Sequence, residues 1–190
     1  MRVISKQEFF DKQEFFVNEI KRGAVFIYPT DTIYGIGCNA IVDAPVQRVR
    51  EIKNRYTRPF SVIVPGKEWI REYCEMTPEI EEWLDKLPGP YTLILKLKQK
   101  GLISEAVNSG GGTIGVRIPD HWCAQLVEKV GYPIVSTSAN HVGEEFMTSM
   151  DNLASDIGNK MDFIVYEGEI KGRPSRLVNL AVSTPQITER

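Results

Sequence analysis

Residues 24–54 read AVFIYPTDTIYGIGCNAIVDAPVQRVREIKN, and the order of patterns in this stretch decides the fold class. Residues 24–28 form a compact apolar run of buried-strand length, closed by Pro29. A polar loop follows. From Asp43 the pattern turns helical, with Pro45 in the first turn and Val46, Val49 and Ile52 on one side. The alternation continues outward in both directions. Upstream, residues 5–22 predict one helix, with Ser5 as N-cap, Glu8 three residues later and Gly23 at its end. Downstream, residues 60–64, 92–97, 113–117, 133–136, 163–166, 177–182 and 186–188 read as strands. Helical patterns fall at residues 67–73, 77–86, 120–130 (with Asp120 as cap) and 152–157. Interleaved strands and helices with no linker-like stretch predict a single α/β domain over residues 1–190. The irregular strand spacing favours a mixed sheet over a doubly wound one.

Composition narrows the class. The 190 residues are 42% hydrophobic and 25% charged, and 23 basic against 25 acidic side chains give 23 − 25 = −2. Such a chain buries roughly 70% of its unfolded surface and needs no disulfide or metal staple, which excludes disorder, collagen-like sequence and coiled coil. Three cysteines, Cys38, Cys74 and Cys123, without C-x-x-C spacing predict reduced buried thiols rather than a zinc site. No window approaches the ~20 apolar residues of a membrane span. Residues 1–23 lack an apolar signal core, so a cytoplasmic location is expected. Nucleic-acid affinity would need a local basic patch.

The familiar catalytic templates are missing: no G-x-x-x-x-G-K-[ST], no H-E-x-x-H and no G-x-S-x-G. His121 and His141 read as surface or capping residues. Residues 35–40, GIGCNA, match a dinucleotide fingerprint, but six residues separate them from the strand and no carboxylate closes a strand about twenty residues on. They read instead as a glycine-softened turn. Four other features carry more. Residues 28–35 (YPTDTIYG) put hydrogen-bonding side chains directly after a strand, as a ligand loop or an ordinary Asx/ST turn would. Residues 48–58 hold five basic residues and one acidic, a local +4, either a phosphate clamp or a solvated helix face. Residues 110–119 pass from three glycines through Thr113 to Arg117, which faces a pocket or a salt bridge. Residues 136–140 (STSAN) offer short polar groups for an oxyanion or a ribose, or cap a turn.

In this order and spacing the four features resemble the YrdC family, the threonylcarbamoyl-AMP synthases. YPTDTIYGIG, IKNR, LPGPYTLILK, GTIGVRIPDH, PIVSTSAN and GRPSRLVN each look like a family segment, and together they span nearly the whole chain. The resemblance implies a YrdC-like twisted mixed sheet with flanking helices around a deep central cavity. There L-threonine, bicarbonate and ATP would become threonylcarbamoyl-AMP and pyrophosphate, a nucleotidyltransferase step toward tRNA threonylcarbamoyladenosine. By motif position, Lys53, Arg55, Ser138 and Asn140 would form the catalytic tetrad around the phosphates. Arg55, Arg58, Thr113, Ser138 and Asn140 would bind ATP, and Thr32, Arg117, Ser136 and Ser175 threonine. Magnesium would travel on ATP rather than in a protein cage. Implied partners are tRNA or double-stranded RNA and the proteins that transfer the threonylcarbamoyl group.

Departures from the pattern are Tyr56 after Arg55, a shortened run to Arg58, Arg176 where a small threonine is usual, and an unusual loop at residues 141–146. They leave room for a paralogue of the YciO kind. An RNA-binding or ribosome-associated module of the same fold is a further reading. A hydrogenase-maturation role is disfavoured, since the acylphosphatase and zinc-finger domains of that system are absent; the length is expected to fit the catalytic domain alone.

Overall fold

The computed structural model describes residues 2–108 and 111–189. Ser109 and Gly110 of the glycine-rich stretch lie outside them. The element order is β1 (Val3–Ser5), α1 (Lys6–Asp11), α2 (Gln13–Lys21), β2 (Phe26–Tyr28), β3 (Gly35–Gly37), α3 (Asp43–Lys53), β4 (Ser61–Ile63), α4 (Lys67–Tyr73), α5 (Pro78–Leu84), β5 (Tyr91–Lys96) and β6 (Thr113–Arg117). It continues with α6 (Cys123–Val130), β7 (Ile134–Ser138), a 3-10 turn (Met150–Asn152), α7 (Ser155–Gly158), β8 (Phe163–Tyr166), β9 (Arg176–Asn179) and β10 (Gln186–Thr188).

The strands form one ten-stranded mixed sheet in the order β1-β8-β2-β3-β7-β4-β6-β5-β9-β10. Its pairs β1/β8, β2/β8, β4/β6 and β5/β9 are parallel and the remainder antiparallel. Alternation along each strand feeds two apolar layers. Ile27 of β2 and Ile164 of β8 join the cluster under α3, α4 and α5, while Phe26, Tyr28, Phe163 and Val165 join that under α1, α2 and α6. Each fully buried side chain of this size contributes about 1.5–3 kcal/mol, so both faces need their helices.

Several expectations are corrected. The predicted first helix is two helices, broken at Lys12 (φ −120°, ψ 30°) and preceded by β1; its Ser5–Glu8 capping box is present. Asp120 does not cap α6, whose N-cap is Trp122. The strand predicted over 133–136 runs on through Ser138. Residues 35–37 are a buried strand between β2 and β7, not a turn. Their glycines serve packing: a Cβ on Gly37 would stand 2.6 Å from Tyr28 Cε1 and 3.0 Å from Ile134 Cγ2.

Candidate functional site

The β2–β3 hairpin, β7, the loop after α3 and the segment before β9 enclose a cavity of about 210 Å³ near the middle of the sheet. Its walls include Thr32, Arg55, Arg117, Ser136, Ser138 and Ser175. Register explains the convergence. Ser61 of β4 lies opposite Ser136 of β7 and beside Gly115 of β6, while Arg117 pairs with Ile63 two positions along.

At one end the Thr30 hydroxyl accepts the backbone N–H of Thr32 (3.2 Å) and Ile33 (3.3 Å), which folds the loop tightly enough to bury Thr30 and Thr32. Arg117 Nη2 donates to Asp31 Oδ1 (2.8 Å) and Thr32 Oγ1 (3.2 Å). The Arg117 and Asp31 side chains are only 7% and 9% exposed. Burial raises the Asp31 carboxyl above its ordinary range despite the guanidinium beside it. Arg117 Nε is buried with no protein partner, an unmet donor on a residue that lines the cavity. Above it, a Cβ on Gly172 would fall 1.7 Å from the Thr32 carbonyl oxygen, so the chain before β9 lies directly on the hairpin loop. Ser175 Oγ is 2.7 Å from Thr92 Oγ1, both buried, which pins that segment to β5.

At the other end, Asn54 adopts a left-handed conformation (φ 49°) that ends α3 and turns the chain, so that Lys53 goes inward and Arg55 reaches the cavity. The Arg55 guanidinium lies over the Phe60 ring, 5.1 Å from its centroid, and donates to the Pro59 carbonyl. Ser138 Oγ donates to Asn140 Oδ1 at 2.5 Å, and Asn140 Nδ2 donates to the Glu144 carbonyl at 2.7 Å.

Of the residues singled out in the sequence, Thr32, Arg55, Arg117, Ser136, Ser138, Asn140 and Ser175 line this one cavity. Lys53, Arg58 and Thr113 are not among its walls. Lys53 is 2% exposed and spends Nζ on the carbonyls of Ser138 (2.5 Å) and Asn140, with Asn140 Oδ1 at 3.4 Å. It braces the STSAN turn from behind. Arg58 is exposed, with its carbonyl 3.2 Å from Arg50 Nη1. Thr113 starts β6 opposite Lys96, four residues from Arg117. The +4 stretch is accordingly not one clamp. Arg48 pairs with Asp162 at 2.7 Å, and Arg50 is buried on the carbonyls of Ala106, Val107, Arg55 and Arg58. Thr30 and Asp31 of YPTDTIYG also stand at the site, whereas Ser61, Thr92 and Phe146 are site residues that were not singled out; for Ser61 the signal was a lone polar residue heading an apolar strand. Among the described residues no three His, Cys, Asp or Glu side chains converge as a metal site. No helix among them is long and apolar enough to cross a membrane.

The Sua5/YciO/YrdC family, described as "Telomere recombination", matches residues 18–190. The chain belongs to the Sua5/YciO/YrdC family. A relative of Methanocaldococcus jannaschii is 35% identical, over 88% of this chain and 79% of its own length. The threonylcarbamoyl-AMP synthase of Pyrococcus abyssi is 32% identical over 87% of this chain, which spans 50% of that relative. Crystalline P. abyssi Sua5 complexed with L-threonine superposes with a TM-score of 0.85 at 28% identity, over 98% of this chain and 56% of that one. Escherichia coli YciO shares the fold at a TM-score of 0.82 and 23% identity, over 100% of this chain and 94% of that one. The YrdC-like twisted mixed sheet anticipated from the motifs is therefore the fold.

Burial, with the charge of Arg55 second, pulls the Lys53 ammonium down to about 7 from 10.5. The unfolded chain then binds more protons between pH about 7 and 10.5, so this group's contribution to stability rises with pH across that window and is lost as pH falls through about 7. Chemical denaturation across pH 6–9 is expected to show stability rising with pH from this group, and Lys53→Met to lose that dependence.

Proposed function

We propose that the chain is a threonylcarbamoyl-AMP synthase, a nucleotidyltransferase acting on L-threonine, bicarbonate and ATP. The observation that carries this reading is the buried Arg117 with an unpartnered Nε in the same cavity as Arg55, Ser138 and Asn140. One cavity thus offers two places for anions. The relatives named for this product and the threonine bound by P. abyssi Sua5 favour the same reading.

In this reading the threonine carboxylate takes Arg117 Nε, with Thr32, Ser136 and Ser175 around the amino acid. The amine and bicarbonate combine to a carbamate with loss of water. A carbamate oxygen then attacks the α-phosphorus of ATP, and the bond to the bridging oxygen breaks to release pyrophosphate. Neither step requires a protein nucleophile, in keeping with a wall of Arg, Ser, Thr and Asn. The protein's contribution is to hold two anions together, offset their repulsion and shield the mixed anhydride from water. Arg55, Ser138 and Asn140 would face the phosphates; magnesium would enter on the triphosphate, completed by water. The product would pass to the proteins that modify tRNA in the cytoplasm.

The purified chain is expected to convert ATP to AMP and pyrophosphate only with both threonine and bicarbonate present. Arg55→Ala should reduce that rate about 100-fold or more, the loss of about 2.7 kcal/mol of transition-state stabilisation. No turnover by folded protein with all three substrates would refute the reading. RNA binding that persists without ATP and weakens steeply with salt would point instead to the RNA module.

A further inference from the structure

Outside the cavity wall, two side chains converge on one carboxylate. Glu167, directly after β8, has one oxygen 2.7 Å from His121 Nε2 and the other 2.7 Å from Trp122 Nε1. The His121 and Glu167 side chains are 16% and 23% exposed. His121 Nδ1 accepts the Cys123 backbone N–H at 3.3 Å, which leaves the proton of the neutral ring on Nε2, aimed at Glu167. The Trp122 ring is wedged between Phe9 and Phe10, with centroids 5.5 and 5.3 Å away. Two donors fixed by backbone and by packing make this a set point, unlike a pair of long exposed side chains.

What it sets is the segment over residues 167–175. Tyr34, a cavity residue, pins the root of that segment: its hydroxyl accepts the Glu167 N–H at 3.1 Å and donates to the Gly168 carbonyl at 2.7 Å. The segment then bonds Ile170 N–H to the Thr148 carbonyl at 2.9 Å, lays Gly172 on Thr32 and ends with Ser175 against Thr92. From the other side, Asp120, next to His121, donates its N–H at 3.2 Å to Asp31, the partner of Arg117. The Glu167 cluster therefore joins the cover of one cavity end to the arginine beneath it.

We propose that Glu167, gripped by His121 and Trp122, is a positioning residue that sets the 167–175 segment over the Arg117 end of the cavity and thereby the affinity for the amino acid. This rests on reading that end as the threonine subsite. The test uses the full chain with Glu167→Ala, Glu167→Gln and Trp122→Phe, titrating threonine and ATP separately and following amide exchange over residues 168–175 without ligand. Glu167→Ala is expected to speed exchange there and weaken threonine binding about tenfold, with ATP affinity unchanged within about twofold. Glu167→Gln and Trp122→Phe, each keeping one bond or the ring packing, should fall between it and the native chain. Unchanged threonine affinity in Glu167→Ala, with or without faster exchange, overturns the proposal, as does a parallel loss of threonine and ATP binding with a lowered Tm. Should the native chain bind no threonine, the reading of the cavity fails, and exchange over 168–175 alone decides whether the cluster holds the segment.

Discussion

Arg117→Met is expected to abolish threonine binding and to cost about 3–5 kcal/mol of stability, the usual range for removing one partner of a buried ion pair. Both effects come from one guanidinium. Its Nε is the buried donor without a protein partner, and its Nη2 neutralises Asp31, whose side chain is 9% exposed. Methionine preserves the unbranched stem but leaves the Asp31 carboxylate uncompensated. The Asp31 carboxyl already stands above its unfolded value of 3.8, with burial the leading cause and Arg117 the main opposing one. Without Arg117 it rises further. Because the folded state then holds the proton more tightly than the unfolded chain, stability from this group is present below pH 3.8 and is lost as pH rises through the folded value. The penalty of Arg117→Met should therefore be smaller in mild acid than at pH 8 in chemical denaturation. Adding Asp31→Asn should recover most of the stability and none of the threonine binding, as read by calorimetry. Recovery of both would mean that Arg117 serves the fold alone.

Gly172→Ala carries the second large effect. The added carbon would sit 1.7 Å from the Thr32 carbonyl oxygen and 2.7 Å from its carbon, and both belong to the backbone. No rotamer change relieves such an overlap, so the 167–175 segment must lift from the hairpin loop. Threonine-dependent turnover is expected to fall at least about 100-fold, while stability drops by only about 1–3 kcal/mol, since strain at one covering segment leaves both apolar layers in place. Gly66→Ala is the matched control: a Cβ there meets nothing within 4 Å, and its turnover should equal that of the native chain. Steady-state assays of the two variants with saturating ATP decide the point. Equal activity of Gly172→Ala and Gly66→Ala would show that the contact with Thr32 does not govern the site.

Much of the fold was legible because its signals are local. The β2 run, the Asp43 helix with Pro45 in its first turn and the Thr113–Arg117 strand all follow from period and punctuation, and each lies where predicted to within two residues. The errors arose where tertiary contacts outweigh propensity. Gly35–Gly37 looks like a turn because glycine usually marks one, yet the crowded Tyr28 ring makes glycine the residue that fits a strand there. The break at Lys12 carries no glycine or proline to mark it. Within the site, STSAN, YPTDTIYG and Arg117 were readable as polar groups at strand ends, whereas Ser61 and Thr92 sit inside ordinary strand patterns and enter only through register.

The amino-acid order by itself determined the α/β class, the polar strand ends that line the cavity, and the motif series that resembles the family's, since these depend on short-range pattern. Only the tertiary structure decided which cations face the cavity. Charge adds up along a chain regardless of direction, but burial acts on each side chain separately. Of the +4 run, Arg48 is spent on Asp162, Arg50 and Lys53 on backbone carbonyls, Arg58 lies outside in solvent, and Arg55 reaches the cavity. The covering of the other end was equally out of reach of the sequence: it depends on Gly172 meeting Thr32 across 140 positions of chain, and on a carboxylate, Glu167, held by two donors from a different element.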